Sequence, residues 1–166
     1  KNLSIDDQVR EVTKVKRSAN GVITDPVTLP PEAPASEVRR LMNEQKISGV
    51  PITLDGTSRG KVVGIVTRRD MMFLADDATP LHEVMTKDRL VTAAPETTLG
   101  QAEAILNQNK VEKLLLVDHD DQLTGLITMG DIAKQDAFPL ACRDDRGRLR
   151  VGAAVGVHQL DRVDAL

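Results

Sequence analysis

The chain has 166 residues, 40% hydrophobic and 28% charged, which suits one ordinary domain or two very small ones with a real core. Lys+Arg 22 against Asp+Glu 25 leaves a net charge of −3, too little positive charge for a general nucleic-acid footprint, so DNA is not expected as a partner. A single cysteine, Cys142, excludes an internal disulfide and a Cys-based zinc site, and His82, His119 and His158 are too scattered for a metal cluster.

The apolar runs are short, as at residues 114–117, so no membrane helix is expected. No basic-then-apolar leader follows Lys1, and cysteine usage fits a reducing compartment, which makes the cytoplasm the expected location. With no Trp, no Tyr and only Phe73 and Phe138, a stacking platform for single strands is excluded. Any base held here must lie between aliphatic side chains.

In chain order, the first segment, residues 1–20, carries Val9, Val12 and Val15 at helical spacing and reads as a modest amphipathic helix. A duplication then organises residues 21–137 into two copies, 21–78 and 79–137. Val27-Thr28-Leu29-Pro30-Pro31-Glu32 matches Val91-Thr92-Ala93-Ala94-Pro95-Glu96, an offset of 64 residues that also pairs Asn43 with Asn107 and Lys46 with Lys110. After a turn of different length the offset becomes 61, and Gly64-Ile65-Val66-Thr67-Arg68-Arg69-Asp70 matches Gly125-Leu126-Ile127-Thr128-Met129-Gly130-Asp131.

Each copy reads β-α-β-β-α. An opening strand (27–29; 91–93) precedes a helix with apolar positions Val38, Leu41 and Met42, or Ala102, Ile105 and Leu106. A buried strand (47–53; 111–117), a turn and a second strand (61–66; 122–127) follow, and a further helix is expected directly after Thr67 and after Thr128. Asp118-His119-Asp120-Asp121 reads as the hairpin turn of copy two. One such unit buries too little surface to stand alone, so the copies are expected to pack on one another. In the last segment, residues 138–166, the apolar and glycine-rich run 149–157 predicts a strand buried on both faces, although nothing else in the chain supplies its neighbours.

The two Gly-aliphatic-aliphatic-Thr-x-x-Asp motifs, each preceded by a Pro-Glu helix and an aliphatic strand, resemble a tandem cystathionine-β-synthase (CBS) pair, or Bateman module. Val15-Lys16-Arg17-Ser18-Ala19-Asn20-Gly21, Ile47-Ser48-Gly49-Val50-Pro51 and the stretch from Gly147 to Gly156 resemble the inosine-5′-monophosphate dehydrogenase family. The resemblance covers essentially the whole chain. It implies an α+β fold: two β-α-β-β-α repeats packed as a pseudo-twofold module and flanked by stubs of a (β/α)8 barrel.

It further implies a regulatory, purine-nucleotide-sensing module whose parent oxidises inosine monophosphate with NAD in guanine nucleotide synthesis. The implied allosteric ligand is ATP or another purine nucleotide with magnesium. The implied partners are the parent's catalytic barrel and further copies, as a tetramer or octamer. The family's Gly-Ser-x-Cys-Thr-Thr loop is absent and Cys142 stands in Leu140-Ala141-Cys142-Arg143, so the 166 residues alone are expected to be inactive, with no catalytic residue assigned. The alternatives are a stand-alone CBS-pair regulator and a structural dimerisation module with no catalytic domain.

In the nucleotide reading, the Asp carboxylate accepts from the ribose hydroxyls. The Thr hydroxyl and the N–H groups of the following helix start face phosphate. This assigns Thr67 and Asp70 to one site and Thr128 and Asp131 to the other, with the base against the aliphatic strand of the same repeat, Val50 or Leu114. Copy one adds Arg68 and Arg69 for phosphates and Ser48-Gly49 as room for a base edge. Copy two has Met129-Gly130 and Glu112-Lys113 at those places, with Lys113 still in reach of a phosphate and Glu112 repelling one. Copy one is therefore expected to be the better polyphosphate site. The competing reading of Thr-x-x-Asp is a helix cap. Met42, Met71, Met72, Met85 and Met129 read as soft core filler.

Overall fold

The computed structural model describes residues 3–16, 18–19, 21–144, 148–155 and 160–165. Helix α1 (Ile5–Lys16) forms where the valine spacing predicts it. Two short strands, β1 (Ser18–Ala19) and β2 (Val22–Ile23), lead into the duplicated region.

Copy one contains helix α2 (Ala35–Gln45) and the hairpin of β3 (Gly49–Thr53) with β4 (Val62–Thr67). Copy two contains β5 (Thr92–Ala93), helix α4 (Leu99–Asn109), the hairpin of β6 (Lys113–Val117) with β7 (Leu123–Thr128), and helix α5 (Met129–Ala137). A one-turn helix, α3 (Leu81–Val84), joins the copies. The hairpins repeat each other down to a bulge, at Ile52/Thr53 in one and Leu116/Val117 in the other.

Both long helices bury the residues that their periodicity picks out, Val38 and Met42 in α2 and Ala102 and Leu106 in α4. Both end on a lysine in the left-handed region, Lys46 at φ 56° and Lys110 at φ 53°. The next residue then donates its N–H back into the helix, Ile47 to the Met42 carbonyl and Val111 to the Leu106 carbonyl.

Two cores result, and a third apolar cluster lies between the copies. Val38, Met42, Val50, Ile52, Val66 and Leu81 fill copy one, while Ala102, Leu106, Leu114, Leu116, Ile127 and Ile132 fill copy two. Leu115 alternates to the other face of β6, where it meets Leu123, Leu126, Ile23, Val62, Ile65 and Leu90.

The copies also exchange backbone. Ile23 of β2 pairs antiparallel with Leu126 of β7, and Thr86 pairs with Ile65 of β4 through two bonds of 3.0 and 2.9 Å. Each copy's leading segment therefore edges the other copy's hairpin. Between the exchanges Lys61 bridges Gln122: the Val62 N–H donates to the Asp121 carbonyl at 2.9 Å and the Leu123 N–H to the Gly60 carbonyl at 3.0 Å. Lys61 and Gln122 are repeat equivalents, so this pair marks the pseudo-twofold axis.

Three expectations are corrected. The helix expected after Thr67 does not form; residues 68–73 make turns, while α5 forms after Thr128. Here Arg39 of α2 takes the carbonyls, its guanidinium donating to those of Met71 and Leu74 at 3.4 Å each while Asp77 holds it at 3.0 Å. A helix carried past 71 would claim those carbonyls for its own ladder. The opening strand of copy one shrinks to a single parallel bridge, Leu29 to Ile52, whereas β5 pairs over two residues with β6.

The doubly buried strand at 149–157 is likewise not formed. Leu149 bridges only Arg143, Val151 and Val155 are exposed, and Gly156 and Val157 lie outside the described residues. A strand needs neighbours to take its N–H and C=O groups, and among the described residues only the short bridge at Arg143, with the Arg150 N–H on the Cys142 carbonyl at 2.9 Å, supplies one. The final helix α6 (Leu160–Ala165) instead meets α1, where Arg162 donates to the Gln8 side chain at 2.6 Å and the Leu3 carbonyl at 3.1 Å.

Candidate functional site

Strand β4 ends at Thr67 and the chain folds back at once. The Thr67 N–H and hydroxyl both donate to Oδ2 of Asp70, each at 2.7 Å, so the carboxylate is fixed by the residue three before it while Oδ1 takes part in neither bond. The Arg68 N–H donates to the Ser48 carbonyl at 2.9 Å, which ties this turn to the start of β3. In copy two the Thr128 hydroxyl donates to Asp131 at 2.6 Å and accepts the Asp131 N–H at 3.2 Å, an N-cap closed on α5.

A cavity of about 450 Å³ opens at the copy-one motif, and both copies line it. Copy one contributes Ser48, Ile65, Thr67, Arg68, Arg69, Asp70 and Met72. From beyond α3 come Thr86, Arg89, Leu90, Val91 and the segment Lys110, Val111, Glu112 and Lys113, with Leu115. Ile65, Leu90, Val91, Val111 and Leu115 give it aliphatic walls, and five cationic side chains stand against the carboxylates of Asp70 and Glu112. A flat apolar group with an anionic tail matches that division.

Lys113 reaches this cavity from the opposite repeat. Its side chain is only 8% exposed, with Nζ 3.7 Å from Glu112. It lies against Gly49, where an added Cβ would collide with its Cδ and Cε. Burial holds its pKa below the ordinary lysine value of 10.5; Glu112 opposes that, Arg69 adds to it, and Asp70 opposes it. Arg89 enters from a residue at φ 64°, a left-handed conformation that costs a side-chain-bearing residue about 1 kcal/mol.

Six of the residues assigned from the sequence therefore meet at one cavity: Ser48, Thr67, Arg68, Arg69, Asp70 and Lys113. Lys113 joins the copy-one motif rather than that of its own repeat, which corrects the expected grouping. Gly49 does not line the cavity but yields its space to Lys113. Val50 and Leu114 are wholly buried in their repeat cores, so neither side chain forms a wall. Thr128 and Asp131 lie outside this cavity.

Sequence reasoning missed Arg89, Lys110 and Met72. Met72 is 65% exposed and lines the opening, so it is not core filler. For Arg89 the available signal was a cation two residues before an opening strand, where copy one has Asp25.

Comparison with known proteins decides the family. The model of the CBS domain matches residues 15–77 and again 81–137. The chain belongs to the CBS domain family. The chain is 51% identical over 166 residues to inosine-5′-monophosphate dehydrogenase of Rhodopirellula baltica, covering all of this chain and 30% of that protein. The enzyme of Bacillus subtilis is 50% identical over 157 residues, 95% of this chain and 32% of its own length. The chain thus spans about a third of the length of the curated relatives it matches.

Among solved structures, a GMP reductase from Trypanosoma brucei in complex with guanosine 5′-triphosphate superposes with a TM-score of 0.80 at 28% identity, over 99% of this chain and 41% of that one. An acetoin utilization protein from Vibrio cholerae superposes at 0.60 and 29% identity, over 69% of this chain and 85% of its own. No described helix is long and apolar enough to cross a membrane.

Proposed function

We propose that this CBS pair is the purine-nucleotide-sensing regulatory part of an inosine-5′-monophosphate dehydrogenase, and that the cleft between its repeats is the sensing site. The observation that carries the reading is the joining of Thr67, Arg68, Arg69 and Asp70 of one repeat to Lys113 of the other around an aliphatic cavity. Asp70 receives the ribose hydroxyls on the oxygen that Thr67 leaves unused. The base lies between Ile65, Val91 and Leu115. Arg68, Arg69 and Lys113 take the phosphates, and magnesium arrives with ATP on the phosphate oxygens.

Regulation requires that the nucleotide favour one of two states. A ligand contacting both repeats does so by setting their relative position. The parent's NAD-dependent oxidation of inosine monophosphate, its barrel, its tetramer or octamer and its cytoplasmic location belong to the same proposal. Support comes from the family match, from identity to that dehydrogenase along the whole chain, and from a similar reductase solved with a guanine nucleotide.

The test is thermal melting and titration calorimetry of this chain with MgATP and MgGTP. Saturable binding and a rise in Tm, both lost in Asp70→Ala, are expected. No heat and no shift with any purine nucleotide would leave a structural module.

A further inference from the structure

The lysines of this chain differ in their surroundings. Lys46 and Lys110 are exposed, and Lys61, paired with Asp121 at 3.3 Å, has 54% of its side chain in solvent. Lys113, by contrast, is almost wholly buried and still lines a cavity. Gly49 gives its Cδ and Cε their place, so the chain that carries the amine is packed along its length.

Burial makes this amine a better nucleophile than its exposed counterparts. An ordinary lysine is neutral in fewer than about one molecule in a thousand at pH 7. At Lys113 desolvation raises the neutral share, and Arg69 works in the same direction. Glu112 and Asp70 oppose both, but burial is the larger effect. Glu112 stands 3.7 Å from Nζ with its own side chain largely in water, which screens the pair.

The cavity adds a second property. Arg68, Arg69, Arg89 and Lys110 line it together with Lys113, against the carboxylates of Asp70 and Glu112. Asp70 already spends Oδ2 on the Thr67 N–H and hydroxyl. A cleft with this excess of positive charge concentrates small anions. An electrophile that is itself an anion is thereby gathered beside the buried amine. Acyl phosphates have both parts: a carbonyl carbon for the nitrogen and a phosphate for the arginines.

We infer that Lys113 is an acylation site, modified directly by small acyl phosphates that the cationic cleft collects. The neutral Nζ attacks the carbonyl carbon and a C–N bond forms. The bond from that carbon to the phosphate oxygen breaks, and its electron pair leaves with inorganic phosphate. The proton shed by the nitrogen passes to the departing phosphate, with Glu112 close by to carry it. The arginines stabilise the charge of the leaving group. The amide that results is uncharged, so the cleft loses one of its five cations. Nothing in this inference depends on the nucleotide-sensing reading; it needs an anion-collecting cleft and this amine.

The test incubates the folded chain with acetyl phosphate near neutral pH and follows acetylation lysine by lysine with peptide mass spectrometry. Lys113 is expected to react about tenfold or more faster than Lys61, the lower end of what a charged cleft adds for a counter-ion. Lys110 shares the cleft but is exposed, so it is expected to trail Lys113. With an uncharged donor, the thioester S-acetyl-N-acetylcysteamine, the lead over Lys61 is expected to shrink. Arg89→Ala is expected to slow Lys113 several-fold with acetyl phosphate and to leave Lys61 unchanged. The comparison among lysines of the unaltered chain stands even if that variant fails to fold.

A Lys113 that reacts no faster than Lys61 would overturn the inference. So would a lead that the uncharged thioester reproduces in full. Either result leaves the sensing reading intact, since nucleotide binding is measured separately.

Discussion

Lys113 of β6 lies over Gly49 of β3, its Cδ and Cε occupying the space that a side chain at 49 would fill. These two residues are equivalent in the duplication, so the contact joins a position to its own copy across the pseudo-twofold. It couples the copy-two backbone to the copy-one cleft. Gly49→Ala forces Lys113 to move and is expected to weaken nucleotide binding several-fold while the fold survives, since a flexible side chain is what must shift. Calorimetry checks this, and an unchanged affinity would show that the position of Lys113 is immaterial.

A buried ammonium costs the folded chain stability. Lys113 is held below the usual lysine value chiefly by burial, so the folded state binds its proton less tightly than the unfolded chain does. Stability then rises as pH climbs from the folded value toward 10.5, and the cost of the charge is fully present at neutral pH. Lys113→Met, whose partner Glu112 stays solvated, is expected to raise Tm near pH 7 by about 2–4 °C, the shift that about 1 kcal/mol produces in a chain of this size. The advantage of the variant narrows toward high pH. A lower Tm at pH 7 would mean that the Glu112 pair outweighs desolvation.

The exchanged edges predict a single folding unit. Because Ile23 pairs with Leu126 and Thr86 with Ile65, neither hairpin keeps its edge partner without the other copy. Urea denaturation is expected to show one transition that coincides by different probes. Thr86→Pro, which removes an N–H donated to the Ile65 carbonyl, is expected to cost about 1–3 kcal/mol. Two separate transitions would contradict the exchange.

Arg39 holds the segment that replaces a helix after Thr67. Its guanidinium joins Asp77 to the carbonyls of Met71 and Leu74, and both the arginine and the aspartate are partly exposed. Arg39→Ala is therefore expected to cost only about 1 kcal/mol of stability. It loosens residues 68–74 all the same, so nucleotide affinity falls further than stability does. Amide exchange across that segment checks it: protection unchanged by the substitution would remove Arg39 from the account.

Much of this was legible because it is local. The duplication, the helices α2 and α4 and the two hairpins follow from periodicities within a dozen residues, and the Thr-x-x-Asp spacing is closed by contacts three residues apart. What escaped is long-range. Nothing near Lys113 tells that it serves the motif 43 residues before it, at Asp70. The exchange of Val22–Ile23 onto β7 bridges about a hundred residues of sequence with two residues of strand, too few to carry a pattern. The copy-one motif reads as a helix start, and the contacts that Arg39 makes to the turn formed instead come from another helix. The run at 149–157 has a strand's composition, but composition does not provide the neighbours that a strand requires.

The most direct test of the account is a crystal structure of this chain grown with saturating MgATP. The expected result is a nucleotide in the cleft between the repeats, its ribose hydroxyls on Asp70 and its phosphates between Arg68, Arg69 and Lys113. A nucleotide seated at Thr128 and Asp131 with the Asp70 cleft empty would contradict it.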